Sequence, residues 1–318
     1  MLCADAPFSA APTISVVVCT YTRARASELL DALRSLREQS LCPLEVIVVV
    51  DHNRALLEFV RAQAPDAIAI ENDAAPGLAG ARNTGVHAAR GEVVAFLDDD
   101  ALAAPDWIER LAAAYRDPRV LGAGGAVLPV FDGRRPRWMP AEFDWVVGCS
   151  YRGQPVDRSP VRNLIGANMS FRREAIERVG GFAGGLGRVG ADRLGCEETD
   201  LCIRLGQEFP QEIIVYDPAT RVGHRVGQER TKLGYFVTRC QAEGVSKAEV
   251  ARRCGSRRAL ESERSYARRA LPAGVRDNFA AFLRGELAGL ARAGAIVLGL
   301  AATVTGYAAG ARPRVYTR

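Results

Sequence analysis

An α/β fold, built on a mostly parallel sheet flanked by helices, is predicted for this 318-residue chain from three observations. Short apolar, β-branched runs occur at residues 14–19 (ISVVVC), 44–50 (LEVIVVV) and 93–97 (VVAFL). Their length and composition suit strands buried on both faces. Segments with apolar residues at helical spacing separate these runs, and such alternation implies parallel strands joined by crossover helices. Finally, each run ends in a polar cluster: Cys19-Thr20-Tyr21, Asp51-His52-Asn53 and Asp98-Asp99-Asp100. In a parallel sheet these clusters share the carboxyl edge, where open α/β sheets bind ligands.

The elements follow in order. After the first run, Thr20-Tyr21-Thr22-Arg23 form a polar turn, and Ser27 caps a helix with Leu29, Leu30, Leu33 and Leu36 on one face. The second run leads into a helix through Leu56, Leu57, Phe59 and Val60, then a short strand at residues 67–70 and a helix at 77–89. The run ending in three aspartates comes next, and Pro105 starts a further helix. Adjacent carboxylates repel, so a positive partner is expected, and oxygen ligands suit Mg²⁺ or Mn²⁺. Residues 120–130 (VLGAGGAVLPV) read as a glycine-broken strand. In the Arg-, Trp- and Pro-rich connection that follows, Trp138 and Trp145 either offer aromatic faces to an acceptor or pack the connection onto the core. A helix in FRREAIERVGGF stops at Gly180-Gly181, and the glycine turn at 184–190 lacks the GK[ST] ending of a phosphate loop. Glu197, Glu198 and Asp200 fall in a first helical turn, where the macrodipole favours acids. A strand at 213–216 runs on towards His224.

Composition narrows the function classes. The chain is 48% hydrophobic and 25% charged, as a globular protein is. Its net charge of +5 is uneven: residues 1–223 hold 24 basic and 30 acidic groups, so residues 224–318 hold 42 − 24 = 18 basic and 37 − 30 = 7 acidic. A basic final third points to an anionic neighbour such as a membrane surface or a phosphorylated acceptor. No nucleic-acid motif accompanies it, so nucleic acid is not expected. The eight cysteines show neither CxxC nor zinc spacing, and residues 1–12 lack a basic start and a continuous apolar run. Both features fit a cytoplasmic protein with reduced thiols, peripheral on the inner face of the cell membrane if the basic third meets lipid.

Four blocks, ISVVVCTYTR, LEVIVVVDHN, PGLAGARNTGVHAARGEVVAFLDDDA and GCEETDLCIRL, resemble the family 2 glycosyltransferases in order and spacing over roughly residues 13–225. The resemblance implies a GT-A type fold, a nucleotide-diphospho-sugar donor, an acceptor hydroxyl and transfer with inversion. It divides the chain into a nucleotide-sugar half at 1–130, an acceptor and catalytic half at 131–230 and a helical basic extension at 231–318. Cys19, Thr20 and Tyr21 would line base and ribose, with Asp51 on the base and Arg82 reaching the nucleotide. Asp98 or Asp99 would face ribose or sugar. Asp100 is the metal ligand of first choice, with Asp98 and His224 as further candidates and Mg²⁺ or Mn²⁺ as the ion. Glu198 would be the general base, with Glu197 or Asp200 orienting it or touching the acceptor. Asn168 would lie near the donor sugar. Arg225 and Arg230 are placed to close over the diphosphate. The second strand departs from the family pattern at His52, which suits a solvent-facing or capping role. The acceptor, whether glycan, lipid-linked or small molecule, is left open.

Two other function classes are weighed. A non-catalytic nucleotide-sugar-binding or scaffold protein on the same fold would be expected to lose acids, and both acidic blocks are intact. A nucleotidyltransferase would carry a glycine-rich loop after the first strand, where TYTRAR has no Gly. Beyond His224 the chain reads as helices at 235–253, 259–271 and from Asp277 onward. Residues 293–311 are uncharged between Arg292 and Arg312, the length of a membrane span but rich in Ala and Gly. A helix packed on the body, an interfacial helix and a span all fit that stretch.

Overall fold

The computed structural model describes residues 11–187, 195–255 and 260–311. The leader reading of residues 1–10, Cys3, the end of the glycine turn from residue 188 and the Arg312 flank lie outside the described residues. Strands β1 (Ile14–Thr20), β2 (Glu45–Val50), β3 (Ile68–Glu71) and β4 (Val93–Asp98) are parallel, in the order β3-β2-β1-β4. Helices α1 (Ala26–Arg37), α2 (Arg54–Gln63) and α3 (Leu78–Ala88) return the chain between them. The strands are apolar throughout because both faces are covered. Val16 and Val18 pack with Leu29 and Leu33 of α1 on one face, whereas Val17 and Phe96 pack with Ala81 and Val86 of α3 on the other.

Beyond β4 the sheet becomes mixed. The chain continues through β5 (Ala101–Ala103), α4 (Trp107–Ala114), β6 (Val120–Phe131), the two-residue β7 (Ser159–Pro160) and β8 (Asn168–Arg172). Helices α5 (Arg173–Arg178) and α6 (Glu197–Glu208) precede β9 (Ile213–Val226). β8 lies antiparallel between β4 and β6, and β9 pairs parallel with β6 and antiparallel with β5 and β7. Parallel pairing is therefore confined to the first half and to β6 with β9.

The glycines of VLGAGGAVLPV do not break the strand, as the sequence led us to expect. β6 is continuous, with a register shift at Gly125 and Ala126. A Cβ on Gly125 would stand 2.1 Å from the Asp217 carbonyl oxygen and 2.2 Å from that of Thr220. Glycine is thus needed for backbone approach rather than for a turn.

Three helices, α7 (Leu233–Cys254), α8 (Glu261–Leu283) and α9 (Ala288–Gly310), form the C-terminal extension. Where the sequence suggests a break at Pro272, α8 continues. Leu271, Gly274, Asn278 and Ala281 bury one face, and that packing holds the helix through the lost proline hydrogen bond. α9 rests on α7 through small residues: a Cβ on Gly306 would meet the Gln241 carbonyl oxygen at 2.0 Å. Ile296 and Ala302 join Phe143, Phe236 and Leu271 in a separate core cluster. On the rest of its surface α9 exposes Leu290, Val297 and Leu298.

Candidate active site

The carboxyl edge of the parallel strands forms one wall of a cavity of about 540 Å³. Cys19, Thr20 and Tyr21 from the end of β1, Asp51 after β2 and Asp98 and Asp99 after β4 all line it. Asp51 is fixed by the Asn72 side-chain amide at 2.7 Å and the Gly77 backbone N–H at 2.9 Å. His52 adopts a left-handed backbone conformation, φ 47°, and its Nε2 lies 3.1 Å from the Ala74 carbonyl oxygen, while Asn53 caps α2. Burial pushes the Cys19 thiol up to about 12, so it meets the cavity as a neutral group.

Three consecutive aspartates at one strand end require compensation, and each receives a different set. Asp98 lies 3.5 Å from the Arg82 guanidinium. Asp99 accepts from Thr20 Oγ1 at 2.8 Å and from Arg25 at 2.9 Å. Burial and the neighbouring Asp100 charge outweigh these partners and raise its carboxyl to about 6. Asp100 faces His224 Nε2 at 3.1 Å, Arg230 at 3.1 Å and Arg25 at 3.4 Å. Burial acts to raise the Asp100 carboxyl, but His224, Arg230 and Arg25 together hold it below the usual range. His224 reaches Asp100 because β9 returns along β5, pairing His224 with Ala101.

The second acidic block opens α6, as its composition suggests. Cys196 precedes it in the left-handed region, φ 72°, a strained conformation for a residue with a Cβ. The three acids after it are placed differently. Glu197 is buried and bonded to Arg82 at 2.7 Å. Asp200 is buried and bonded to Arg204 at 2.8 Å and to the Cys254 thiol, turned away from the cavity. Glu198 lines the cavity, half-buried, with only Thr199 Oγ1 at 3.1 Å bonded to its carboxylate among the described residues. Burial first, then the Glu197 charge, raise its carboxyl to about 7, partly countered by Lys247.

The structure brings Trp145 to the cavity wall but not Trp138, which stands edge-on to Phe236 with ring centroids 5.4 Å apart. Asn168 is fully buried on β8. Its amide accepts from Trp107 Nε1 at 2.8 Å and donates to the carbonyls of Thr220 and Ala126, so its hydrogen bonds are spent joining β6, β9 and α4. Arg225 turns to Asp31 at 2.6 Å rather than towards the strand ends. Sequence reasoning did not single out Arg25, Arg239 or Lys247. The pair of arginines in TYTRAR beside a strand-end acid cluster was the available signal for the first, whereas the two on α7 depend on tertiary packing alone.

Asp98, Asp100 and His224 bring ligand atoms all within 4.8 Å of one another. Two carboxylates and an imidazole are a donor set that fits a divalent cation.

A cleft at the carboxyl edge of a half-parallel sheet, with a DxD acid pair and a returning histidine, defines the class: a GT-A fold glycosyltransferase. The structure is similar to the mannosyltransferase PcManGT from Pyrobaculum calidifontis in complex with GDP-Man and Mn²⁺, with a TM-score of 0.58 at 20% identity over 92% of this chain and 87% of that one. It is also similar to GalNAc-T7 with UDP, GalNAc and Mn²⁺, with a TM-score of 0.51 at 18% identity over 74% of this chain and 48% of that one. Residues 15–180 match the family model for glycosyl transferase family 2. The chain is 37% identical over 240 residues to the glucosyl-dolichyl phosphate glucuronosyltransferase of Haloferax volcanii, covering 74% of this chain and 76% of that protein. It is 28% identical to the succinoglycan biosynthesis protein ExoM of Rhizobium meliloti, over 71% of each. The chain belongs to glycosyl transferase family 2 and is a glycosyltransferase.

Arg82 holds the two acidic blocks together, lying 2% exposed with Phe96 and Phe182 beside its guanidinium. Replacing one member of a buried pair strands the other charge and costs about 3–5 kcal/mol. Arg82→Met is therefore expected to lower unfolding free energy in urea by that order, with part of the loss recovered in the Arg82→Met, Glu197→Leu double variant. Additive losses in the double variant would show that the pair is not coupled.

Proposed function

We propose that the protein transfers a sugar from a nucleotide-diphospho-sugar to an acceptor hydroxyl with inversion, and that Glu198 is the general base. The observation that carries this reading is the contrast within one helical turn: Glu197 and Asp200 are tied to guanidinium groups, whereas Glu198 meets the cavity without one. Inverting displacement needs one carboxylate to take the acceptor proton as the hydroxyl attacks. A double displacement needs a nucleophile beside the anomeric carbon instead, and the neutral Cys19 thiol and paired Glu197 are poorly suited to that role.

Cys19, Thr20, Tyr21 and Asp51 bind the nucleotide in this reading, with the Asp51 carboxylate held in place by Asn72 and Gly77. Arg82 orients Asp98 and Glu197, and Asp99 faces ribose or sugar. Asp98, Asp100 and His224 hold the divalent ion, which when bound stabilises negative charge on the departing diphosphate. Arg25 and Arg230, already drawn to the same carboxylates, add positive charge at that edge. Trp145 supplies an aromatic face for the acceptor.

The acceptor is lipid-linked in our reading, and the protein works at an anionic membrane surface. Its relative from Haloferax volcanii carries a dolichyl phosphate substrate in its name. α9 is long and apolar enough to cross a membrane by length and composition, yet one stripe of it packs on α7. Its outward face is apolar, and the chain from residue 224 onward carries 18 basic against 7 acidic residues. Near-surface basic residues are each worth about 1 kcal/mol on an anionic leaflet.

Four outcomes are expected. Asp100→Ala abolishes Mn²⁺-dependent donor turnover, and full turnover by that variant in chelator would remove the metal role. Glu198→Gln retains donor binding by calorimetry but loses transfer. In the wild type kcat/KM rises with pH and levels off above about 7, because only the ionised carboxylate accepts a proton; a profile flat from about pH 5.5 to 8 would exclude Glu198 as base. For the surface, the full chain should co-float with phosphatidylglycerol vesicles and less with phosphatidylcholine, and Val297→Glu with Leu298→Glu should weaken both. Failure to float with the anionic vesicles would overturn the membrane assignment.

A further inference from the structure

Beyond Glu198 the cavity is walled by the C-terminal helices, where Tyr266, Leu271, Leu300, Val304 and Tyr307 make it apolar. Charged side chains enter this apolar space, and nearly all their capacity is used internally. Arg162 makes two bonds of 2.6 Å to Glu263, and Lys247 lies 2.8 Å from Glu263 and 3.5 Å from Glu243. Arg239 differs. Its Nη2 donates to Glu243 at 3.1 Å, but Nε and Nη1 are buried and bond nothing among the described residues. No other buried side-chain nitrogen or oxygen among the described residues is left in that condition.

An unmet charged donor shielded from water is costly, so its retention in a cavity wall calls for a ligand that satisfies it. The position is also specific. Arg239 Nη2 lies 3.5 Å from where a Cβ on Gly195 would stand, three residues before Glu198. The lining of the cavity thus includes a carboxylate suited to a hydroxyl, a guanidinium whose Nε and Nη1 are unbonded among the described residues, and an apolar wall.

We propose that Arg239 binds a phosphate ester in the acceptor, and that the acceptor is a phosphate-linked glycolipid. Its sugar hydroxyl meets Glu198, its phosphate meets Arg239, and its hydrocarbon chain lies along Leu300, Val304 and Tyr307. Guanidinium suits phosphate by charge and by the geometry of its donors. Hydrocarbon suits the remaining wall, from which a free sugar phosphate would gain little. This subsite rests on the glycosyl-transfer reading of the same cavity.

The test uses the full chain without metal, titrated calorimetrically with octyl phosphate, octanol, butyl phosphate and inorganic phosphate. Octyl phosphate is expected to bind about tenfold or more tightly than octanol or inorganic phosphate, as a charge-assisted hydrogen bond and a buried chain each require. Arg239→Gln should erase the advantage over octanol, and Arg239→Lys should keep part of it. Leu300→Gln should shrink the gain of octyl over butyl phosphate while leaving the phosphate preference. Equal binding of octanol and octyl phosphate by the wild type would overturn the proposal, as would an unchanged preference in Arg239→Gln. Should Arg239→Gln not fold, an Arg239→Lys protein matching the wild type for octyl phosphate would overturn it equally. Binding of GDP or UDP with Mn²⁺ by the same proteins reports on the donor site separately. Lost phosphate preference with that binding intact supports the subsite, whereas absent nucleotide binding in the wild type counts against the transfer reading alone.

Discussion

Repulsion among Asp98, Asp99 and Asp100 is the constraint around which the molecule is assembled. Two unit charges about 4 Å apart at an effective dielectric constant of about 20 repel by about 4 kcal/mol, and here three carboxylates leave one strand in succession. The chain meets that cost with groups from distant elements. Thr20 and Arg25 follow β1, Arg82 comes from α3, His224 from β9 and Arg230 from the turn beyond it. Three of these partners, Thr20, Arg25 and Arg82, also line the cavity, so the acid cluster helps to organise its walls.

The α6 turn shows how neighbouring acids of one chemistry acquire different tasks. Helical geometry sends Glu197, Glu198 and Asp200 in different directions, and each meets different partners there. Arg82 and Arg204 neutralise two of them. The third stands against Glu197 in a buried setting, which raises its carboxyl into the range where a group can both lose and accept a proton near neutrality. The C-terminal helices add Lys247 as a partial counterweight, tying the titration of Glu198 to the extension.

Much of the fold was legible because buried parallel strands are unmistakable in ISVVVC, LEVIVVV and VVAFL, and because polar residues at their ends mark one edge. The acid cluster, Asp51 and Glu198 stood out as candidates through the spacing of four blocks, and His224 through its place at the end of the strand that follows them. Asn168 was not: an amide near the middle of an apolar segment reads equally well as a ligand contact or a bracket between strands, and burial decided for the bracket. Trp138 and Trp145 differ for the same reason, since only packing distinguishes a wall from a core. The continuity of β6 was hidden because glycine signals both a break and a close backbone approach. Arg239 was hidden because nothing in a helix sequence tells which guanidinium will be left with spare donors.

The pairing of Ala101 with His224 also constrains the order in which the protein acquires its site. A ribosome releases the parallel strands early, yet Asp100 gains its imidazole partner only after β9 has emerged, more than a hundred residues later. Contacts of such wide sequence separation form slowly, since the intervening chain must first be closed into a loop. The nascent amino-terminal half therefore carries an acid cluster compensated by Thr20, Arg25 and Arg82 alone, and β8 and β9 insert between and beside strands already made. Synthesis of this enzyme thus includes an interval in which the parallel strands exist without the histidine that faces Asp100.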